Sequence, residues 1–182
     1  MNKNLVKLSK FVSLVLRHQP EVIGLKLDEN GWAEVDRLIE LAKLNGIDIS
    51  KIILEEIVET NNKQRFSFNL EKSKIRANQG HSIDIELGLT PKQPPDRLFH
   101  GTAVRFLESI RQQGLIAGNR QHVHMSSDET TAINVGQRHG KPVVLKIDTL
   151  AMHQDGFVFF CSENLVWLTD FVPPQYLEFP VE

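Results

Sequence analysis

"LTPKQPPD", residues 89–96, places three prolines in eight positions. Proline fixes φ and donates no backbone N–H, so this run neither extends a helix nor enters a sheet, and it stiffens an exposed connector. It predicts a break in the chain, with one lobe over residues 1–90, a linker over 91–96 and a second lobe over 97–182. The hydrophobic patterns on the two sides of it differ.

Before the linker, Leu5, Leu8, Val12 and Val15 recur at helical spacing, and the run ends in "VLRHQP", where Pro20 stops it. "WAEVDRLIELAKLNG" reads as a second helix closed by Gly46, and Ser50 opens a third through "KIILEEIVETN". "RFSFNL" alternates from Arg65 to Leu70, and "KIRANQ" follows the turn-like "EKS". Three helices and a β-hairpin predict a winged-helix lobe, whose usual work is nucleic-acid binding and which elsewhere serves as a docking module. After the linker, "RLFHGT" reads as a strand ending in Gly, "AVRFLESIRQQ" as a helix capped by Thr102 and closed by Gly114, and "HVHMSS" as another strand. "DETTAINVGQRHG" starts helical. "KPVVLKID", "GFVFFCS", "NLVWLTD" and "YLEFPVE" then predict an α+β lobe with a largely antiparallel sheet.

Composition narrows the class of protein. At 182 residues and 41% apolar content the chain can bury real cores. Its longest apolar stretches run to about six residues, where a membrane helix needs roughly 20. "MNKN" is no secretory leader, so a cytoplasmic protein is expected. The single Cys161 has no partner for an internal disulfide and reads as a buried strand thiol, which suits a reducing compartment. Net charge is -2; residues 1–95 hold 14 basic against 13 acidic side chains, and residues 96–182 hold 7 against 10. So weak a field argues against non-specific coating of DNA, and any anion must be held by a few placed residues.

No G-x-G-x-x-G, P-loop or H-E-x-x-H is present, so the chemistry must rest on other constellations. Arg17-His18 sits where a helix stops; taken alone, the pair reads first as a C-terminal cation favouring the helix dipole, with His18 as a partial cap. Arg65 opens a strand, and Arg76, Asn78, Gln79 and His81 crowd donors into "IRANQGHS". An arginine fork there matches phosphate oxygens, while an ordinary polar wing with turn chemistry remains the plain alternative. In "RLFHGT", His100 and Thr102 flank a Gly that admits close approach to the backbone, with a helix N-terminus beyond. In "GNRQHVHMSSDE", Arg120 precedes His122 and His124 on one strand face, and Ser126 or Ser127 can cap the next helix. No well-spaced carboxylate or thiolate completes a tetrahedral set with these histidines, so no metal is expected.

Together "LSKFVSLVLRHQPE", "LDENGWAEVDRLI", "RFSF", "IRANQGHS", "LFHGT", "GLIAGNRQHVHMS" and "NLVWLTDFVPPQYL" resemble, in order along the chain, the RNA 2′-phosphotransferase family. The resemblance implies a winged-helix RNA lobe followed by an ADP-ribosyltransferase-like antiparallel β lobe, and a reaction that consumes NAD. It implies that Arg17, His18, Arg65 and Arg120 form the catalytic set. His100, Gly101, Thr102, His124, Ser126 and Val166 would bind NAD, with Val166 at the third transferase position and Glu163 nearby. Arg76, Asn78, Gln79 and His81 would contact RNA. In the implied reaction an internal 2′-phosphate of RNA, of the tRNA splice-junction type, attacks the nicotinamide-bearing ribose carbon and expels nicotinamide. The ADP-ribose O2″ then attacks that phosphate, releasing RNA with a 2′-OH and ADP-ribose 1″,2″-cyclic phosphate. A phosphate monoester with a second pKa of ~6 is already mostly dianionic at pH 7, so it needs screening and orientation more than a base. The arginines would clamp it, and His18, with an ordinary pKa of ~6.5, would protonate the departing ribose oxygen.

Two other classes stay open from the residues alone. One is an ADP-ribosyltransferase acting on phosphorylated nucleic-acid ends or proteins. The other is a non-catalytic winged-helix regulator with a nucleotide-sensing lobe. A monomer without membrane contact is expected in each case.

Overall fold

The computed structural model describes residues 3–180. The chain separates into two compact units that divide between Gly88 and Leu89.

The first unit begins with helix α1, Lys3–Arg17, whose buried stripe comprises Leu5, Leu8, Val12, Val15 and Leu16. Pro20 opens a single tight turn, Pro20–Ile23, which Gly24 closes with φ +69°. The stretch "LDENGW" folds back on itself: Asp28 Oδ1 accepts from the amides of Asn30 (3.0 Å) and Trp32 (2.9 Å), and Gly31 takes φ +80°. That turn delivers Ala33–Glu34 as strand β1, ahead of helix α2, Val35–Leu44. The second helix is therefore shorter than its apolar pattern predicts. Trp32 belongs to that turn, and Ala33 and Glu34 are extended because they pair with Ile75 and Lys74 and the Val35 amide donates to Ser73 O at 2.8 Å. Helix α3, Lys51–Thr60, starts at Ser50, whose hydroxyl accepts from the Ile53 amide at 3.3 Å.

Strands β2, Phe66–Phe68, and β3, Lys74–Ala77, complete an antiparallel three-stranded sheet in the order β1-β3-β2. Val12, Leu16, Leu38, Leu54, Ile57, Phe66 and Ile75 form its core, each at most 2% exposed.

In the second unit the segment ahead of the first strand is anchored: the Lys92 amide donates to Phe159 O at 2.8 Å, and Thr149 Oγ1 donates to Pro95 O. Strand β4 runs Arg97–Ala103, past the glycine where its pattern suggested an end, because all seven residues pair with β7, Pro142–Asp148. Thr102 is consequently a buried strand residue and caps nothing. A short turn, Val104–Phe106, precedes helix α4, Leu107–Gln113, which Gly114 closes.

Strands β5, Leu115–Ile116, and β6, Val123–Met125, follow. Helix α5, Glu129–Gly136, is capped by Asp128, whose Oδ1 accepts from the Thr131 amide at 2.7 Å; neither Ser126 nor Ser127 is the cap. After β7 come α6, Thr149–Gln154, and strands β8, Phe160–Cys161, β9, Trp167–Thr169, β10, Phe171–Val172, and β11, Leu177–Glu178. Cys161 is half-buried rather than buried.

All pairings among the described strands are antiparallel, in the groups β11-β7-β4, β6-β9-β8 and β10-β5. The Phe99 and Ser126 amides and carbonyls exchange hydrogen bonds of 2.9 and 2.8 Å, so β4 touches β6 at one point and the two sheets part there. Leu98, Leu145, Ile147, Met152 and Phe159 fill the core. Among the described residues no helix is long and apolar enough to cross a membrane.

Candidate active site

The last turn of α1 leaves carbonyls without intrahelical partners. One is satisfied from far along the chain, where the Ser82 amide donates to Arg17 O at 2.9 Å. The same loop receives the Arg17 side chain: Nε donates to Gln79 O at 2.9 Å, Nη2 to Gln79 Oε1 at 3.4 Å, and Nη1 to Ser13 Oγ at 3.3 Å. Arg17 is thereby 92% buried. Beside it His18 Nδ1 lies 2.9 Å from Ser82 Oγ. Gly80 adopts φ +85°, and a Cβ there would stand 1.8 Å from Arg17 Nη2. "VLRHQP" and "IRANQGHS", which the sequence offers as separate motifs, are one constellation.

Asn78 extends it. Its amide donates to Arg65 O at 2.9 Å and its side chain to Gln64 O at 2.6 Å, fixing the backbone that carries Arg65. The Arg65 guanidinium is partly buried, and desolvation lowers its pKa from the ordinary arginine value. Among the described residues nothing pairs with it, so it is a desolvated cation that an anion would stabilise. His81 is 1% exposed, and neither ring nitrogen has a hydrogen-bond partner among the described residues. Burial first, then the charges of Arg17, His18 and Arg76, push its pKa down to about 4. Arg76, on β3, lies over the Trp32 ring with Cζ 4.6 Å from the centroid.

The second unit gathers its polar residues where β4 and β6 part. His100 Nδ1 is 2.8 Å from His124 O. A carbonyl only accepts, so Nδ1 carries the proton and Nε2 presents a lone pair. Burial pushes the His100 pKa down, opposed by that bond and assisted by Arg120 and His139. Arg120 Nη1 is 3.1 Å from His124 Nδ1. A guanidinium only donates, so this imidazole accepts at Nδ1 and, when neutral, holds its proton on Nε2. Gly101 is set by packing: a Cβ on it would fall 1.7 Å from Ala132 O, because α5 crosses β4 at backbone contact. Thr102 is 6% exposed. Ser126 Oγ bonds to Phe99 O at 3.5 Å and Asp128 O at 3.2 Å. Val166 ends the β8–β9 turn, its amide donating to Ser162 Oγ at 3.1 Å. His122 turns to Asp170, 3.6 Å away, and to the Phe160 ring.

The family model described as "RNA 2'-phosphotransferase, Tpt1 / KptA family" matches residues 3–171. The chain belongs to the RNA 2′-phosphotransferase family, a family of transferases. It is 54% identical to a probable RNA 2′-phosphotransferase of Flavobacterium johnsoniae over 180 residues, covering 98% of this chain and 99% of the relative. It is 55% identical to that of Hahella chejuensis over 177 residues, covering 97% and 95%, and 54% identical to that of Fusobacterium nucleatum over 177 residues, covering 97% and 99%.

Within the first unit, Arg17, His18, Arg65, Asn78 and Gln79, all named from sequence, meet around residues 78–82; within the second, His100, Arg120, His124 and Ser126 meet where the sheets part. The sequence reading did not single out Ser13 or Ser82 and took Gly80 only as turn chemistry, although these residues hold Arg17 and His18. Ser13 precedes Arg17 by one helical turn, a signal that was available. Gly80 and Ser82 were legible only as parts of "IRANQGHS".

Proposed function

We propose that this chain removes a 2′-phosphate from RNA, with NAD as the acceptor substrate, its first unit acting as a winged-helix RNA lobe and its second as an ADP-ribosyltransferase-like lobe. One observation carries the reading. A partly buried arginine fork without a partner among the described residues, Arg65, hangs from the five residues that also hold Arg17 and His18, in a chain of the 2′-phosphotransferase family. A helix–sheet lobe can carry such cations for many purposes; the family match supports the RNA phosphate as their target.

The residues of the second unit fit a dinucleotide. His100 Nε2, with its lone pair set by the His124 carbonyl, suits a ribose hydroxyl donor, and Arg120, oriented by His124, suits an anion. Gly101, Thr102, Ser126 and Val166 belong to the same proposed pocket. When bound, NAD supplies an electrophilic ribose carbon and a good leaving group.

The remaining work falls to the chain. A 2′-phosphate arrives at pH 7 with most of its second proton gone, given a pKa of ~6, so no general base is required to make it nucleophilic. Arg17 and Arg65 neutralise and orient it. Arg17 is pre-set by three hydrogen bonds, which reduces the ordering left to do when substrate binds. His18, oriented by Ser82, donates the proton that the ribose oxygen requires as RNA leaves.

The test is to incubate the protein with an oligoribonucleotide bearing one internal 2′-phosphate, with and without NAD. NAD-dependent appearance of the 2′-hydroxyl RNA with release of nicotinamide is expected. An unchanged oligonucleotide in the presence of NAD refutes the reading.

A further inference from the structure

We propose that residues 78–82 act as a positioning segment, seating the two arginines and the histidine of the first unit, and that Gly80 is a specificity-free positioning residue whose missing side chain is the seat of Arg17. The inference rests on the proposed reaction for its kinetic consequences and on the geometry alone for the seat.

Each residue of the segment but one has an identified load. Asn78 fixes the backbone of residues 64 and 65. Gln79 accepts Arg17 Nε through its carbonyl. Ser82 closes the end of α1 and meets His18 Nδ1. Gly80 has φ +85°, a region that side-chain-bearing residues rarely enter, and on its Cβ side lie three atoms of one guanidinium: Nη2 at 1.8 Å, Cζ at 2.8 Å and Nε at 3.1 Å. His81, without hydrogen-bond partners among the described residues, lies on the buried side of the segment, where its Nε2 would stand 3.4 Å from a Cβ on Gly31.

These contacts assign Asn78 and Gln79 a role that direct RNA recognition does not account for. Asn78 is 4% exposed, and its side-chain NH2 already donates to Gln64 O.

The consequence differs from that of an ordinary glycine replacement. The atoms in the way belong to the far end of a flexible side chain, so the clash of an alanine at 80 is relieved when the guanidinium retreats, and what remains on the backbone is the strain of a left-handed φ. From 1.8 Å to the closest approach Cβ atoms tolerate, 3.0 Å, the retreat is more than an ångström. A displacement of about 1 Å in a group that orients substrate costs roughly 100-fold in turnover.

The experiment combines kinetics with a probe of Arg17 itself. Wild type, Gly80→Ala, Arg17→Ala and the double variant are compared on the 2′-phosphorylated oligonucleotide with NAD, each corrected for its folded fraction. Arginine Nε–H signals are recorded by 15N NMR, with Arg17 assigned by its loss in Arg17→Ala. Gly80→Ala is expected to lower kcat about 100-fold and to abolish the slowly exchanging Arg17 Nε–H, whereas adding it to Arg17→Ala lowers kcat no further. Two results overturn the proposal: an Arg17 Nε–H signal in Gly80→Ala unchanged from wild type, or an undiminished effect of Gly80→Ala when Arg17 is already gone. If the proposed reaction itself is wrong, wild type fails on the oligonucleotide while the NMR arm still reports whether Gly80 seats Arg17.

Discussion

Removal of the His81 imidazole should change how this protein's stability depends on pH, and the size of the change follows from its surroundings. An unfolded chain titrates histidine near 6.5, whereas burial and the nearby Arg17, His18 and Arg76 hold folded His81 at about 4. Below 6.5 the unfolded state takes up a proton that the folded state refuses, so stability is complete above that pH and declines as pH falls towards 4. The gap between the two values, at about 1.36 kcal/mol per pH unit, sets a limit of about 3 kcal/mol, of which about 2 kcal/mol is already lost at pH 5. Other groups add to the pH dependence, among them His100 and His122, whose pKa values burial also lowers. A difference between two proteins cancels them. His81→Leu replaces a ring whose nitrogens have no hydrogen-bond partners among the described residues with an apolar group of similar volume, so no buried donor is stranded. Urea unfolding of the wild type and His81→Leu, followed by circular dichroism at pH 7.5, 6.5, 5.5 and 5.0, gives the free-energy difference at each pH. The variant should gain on the wild type by about 2 kcal/mol between pH 7.5 and pH 5.0. A difference that stays constant across this range refutes the reasoning, since it means that folded His81 accepts protons as readily as the unfolded chain does.

Three further outcomes are expected. Arg65→Lys should lower kcat on 2′-phosphorylated RNA at least about tenfold in steady-state assays, because a point-charge ammonium lacks the planar fork that grips two oxygens; equal activity sinks the bidentate role. His18→Ala should keep releasing nicotinamide on the first turnover while dephosphorylated RNA forms much more slowly, and matched rates for the two products would remove His18 from proton delivery. Gly101→Ala should destabilise the second unit by about 3 kcal/mol or more, because its Cβ meets the Ala132 carbonyl rather than a movable side chain; a melting temperature within a degree of wild type would contradict this.

The elements most legible in the sequence were those written in hydrophobic period and in local caps. The α1 stripe, the Pro20 stop, the Ser50 cap and the strand character of "KPVVLKID" each depend on residues within a few positions of one another. The misreadings came where distant pairing outweighed local pattern. Ala33 and Glu34 carry a helical signature and became extended because β3 supplies a partner, and Thr102 has the chemistry of a cap yet lies within a strand because β7 runs beside it through Pro142. Ser126 and Ser127 lost the α5 cap to Asp128, an equally good acceptor that stands one residue nearer the helix. Of the site, residue types were readable and relationships were not. Nothing local to Arg17 shows that Gln79, 62 positions on, receives its side chain.

The two glycines in the recognised motifs show why such relationships decide what a residue does. At both Gly80 and Gly101 a Cβ would collide with a neighbour, yet from sequence Gly101 reads as a place for close approach and Gly80 as turn chemistry. Gly101 meets a peptide carbonyl held by α5 and β4, so the obstacle cannot move and the cost of a side chain falls on folding. Gly80 meets a guanidinium at the end of a long side chain, so the obstacle moves, folding bears only the strain of a left-handed φ, and the larger cost falls on the role proposed for Arg17. Stability and activity measured on the same pair of variants should therefore separate in opposite directions. That separation follows from which kind of atom stands opposite the missing Cβ, a distinction that the glycine itself does not encode.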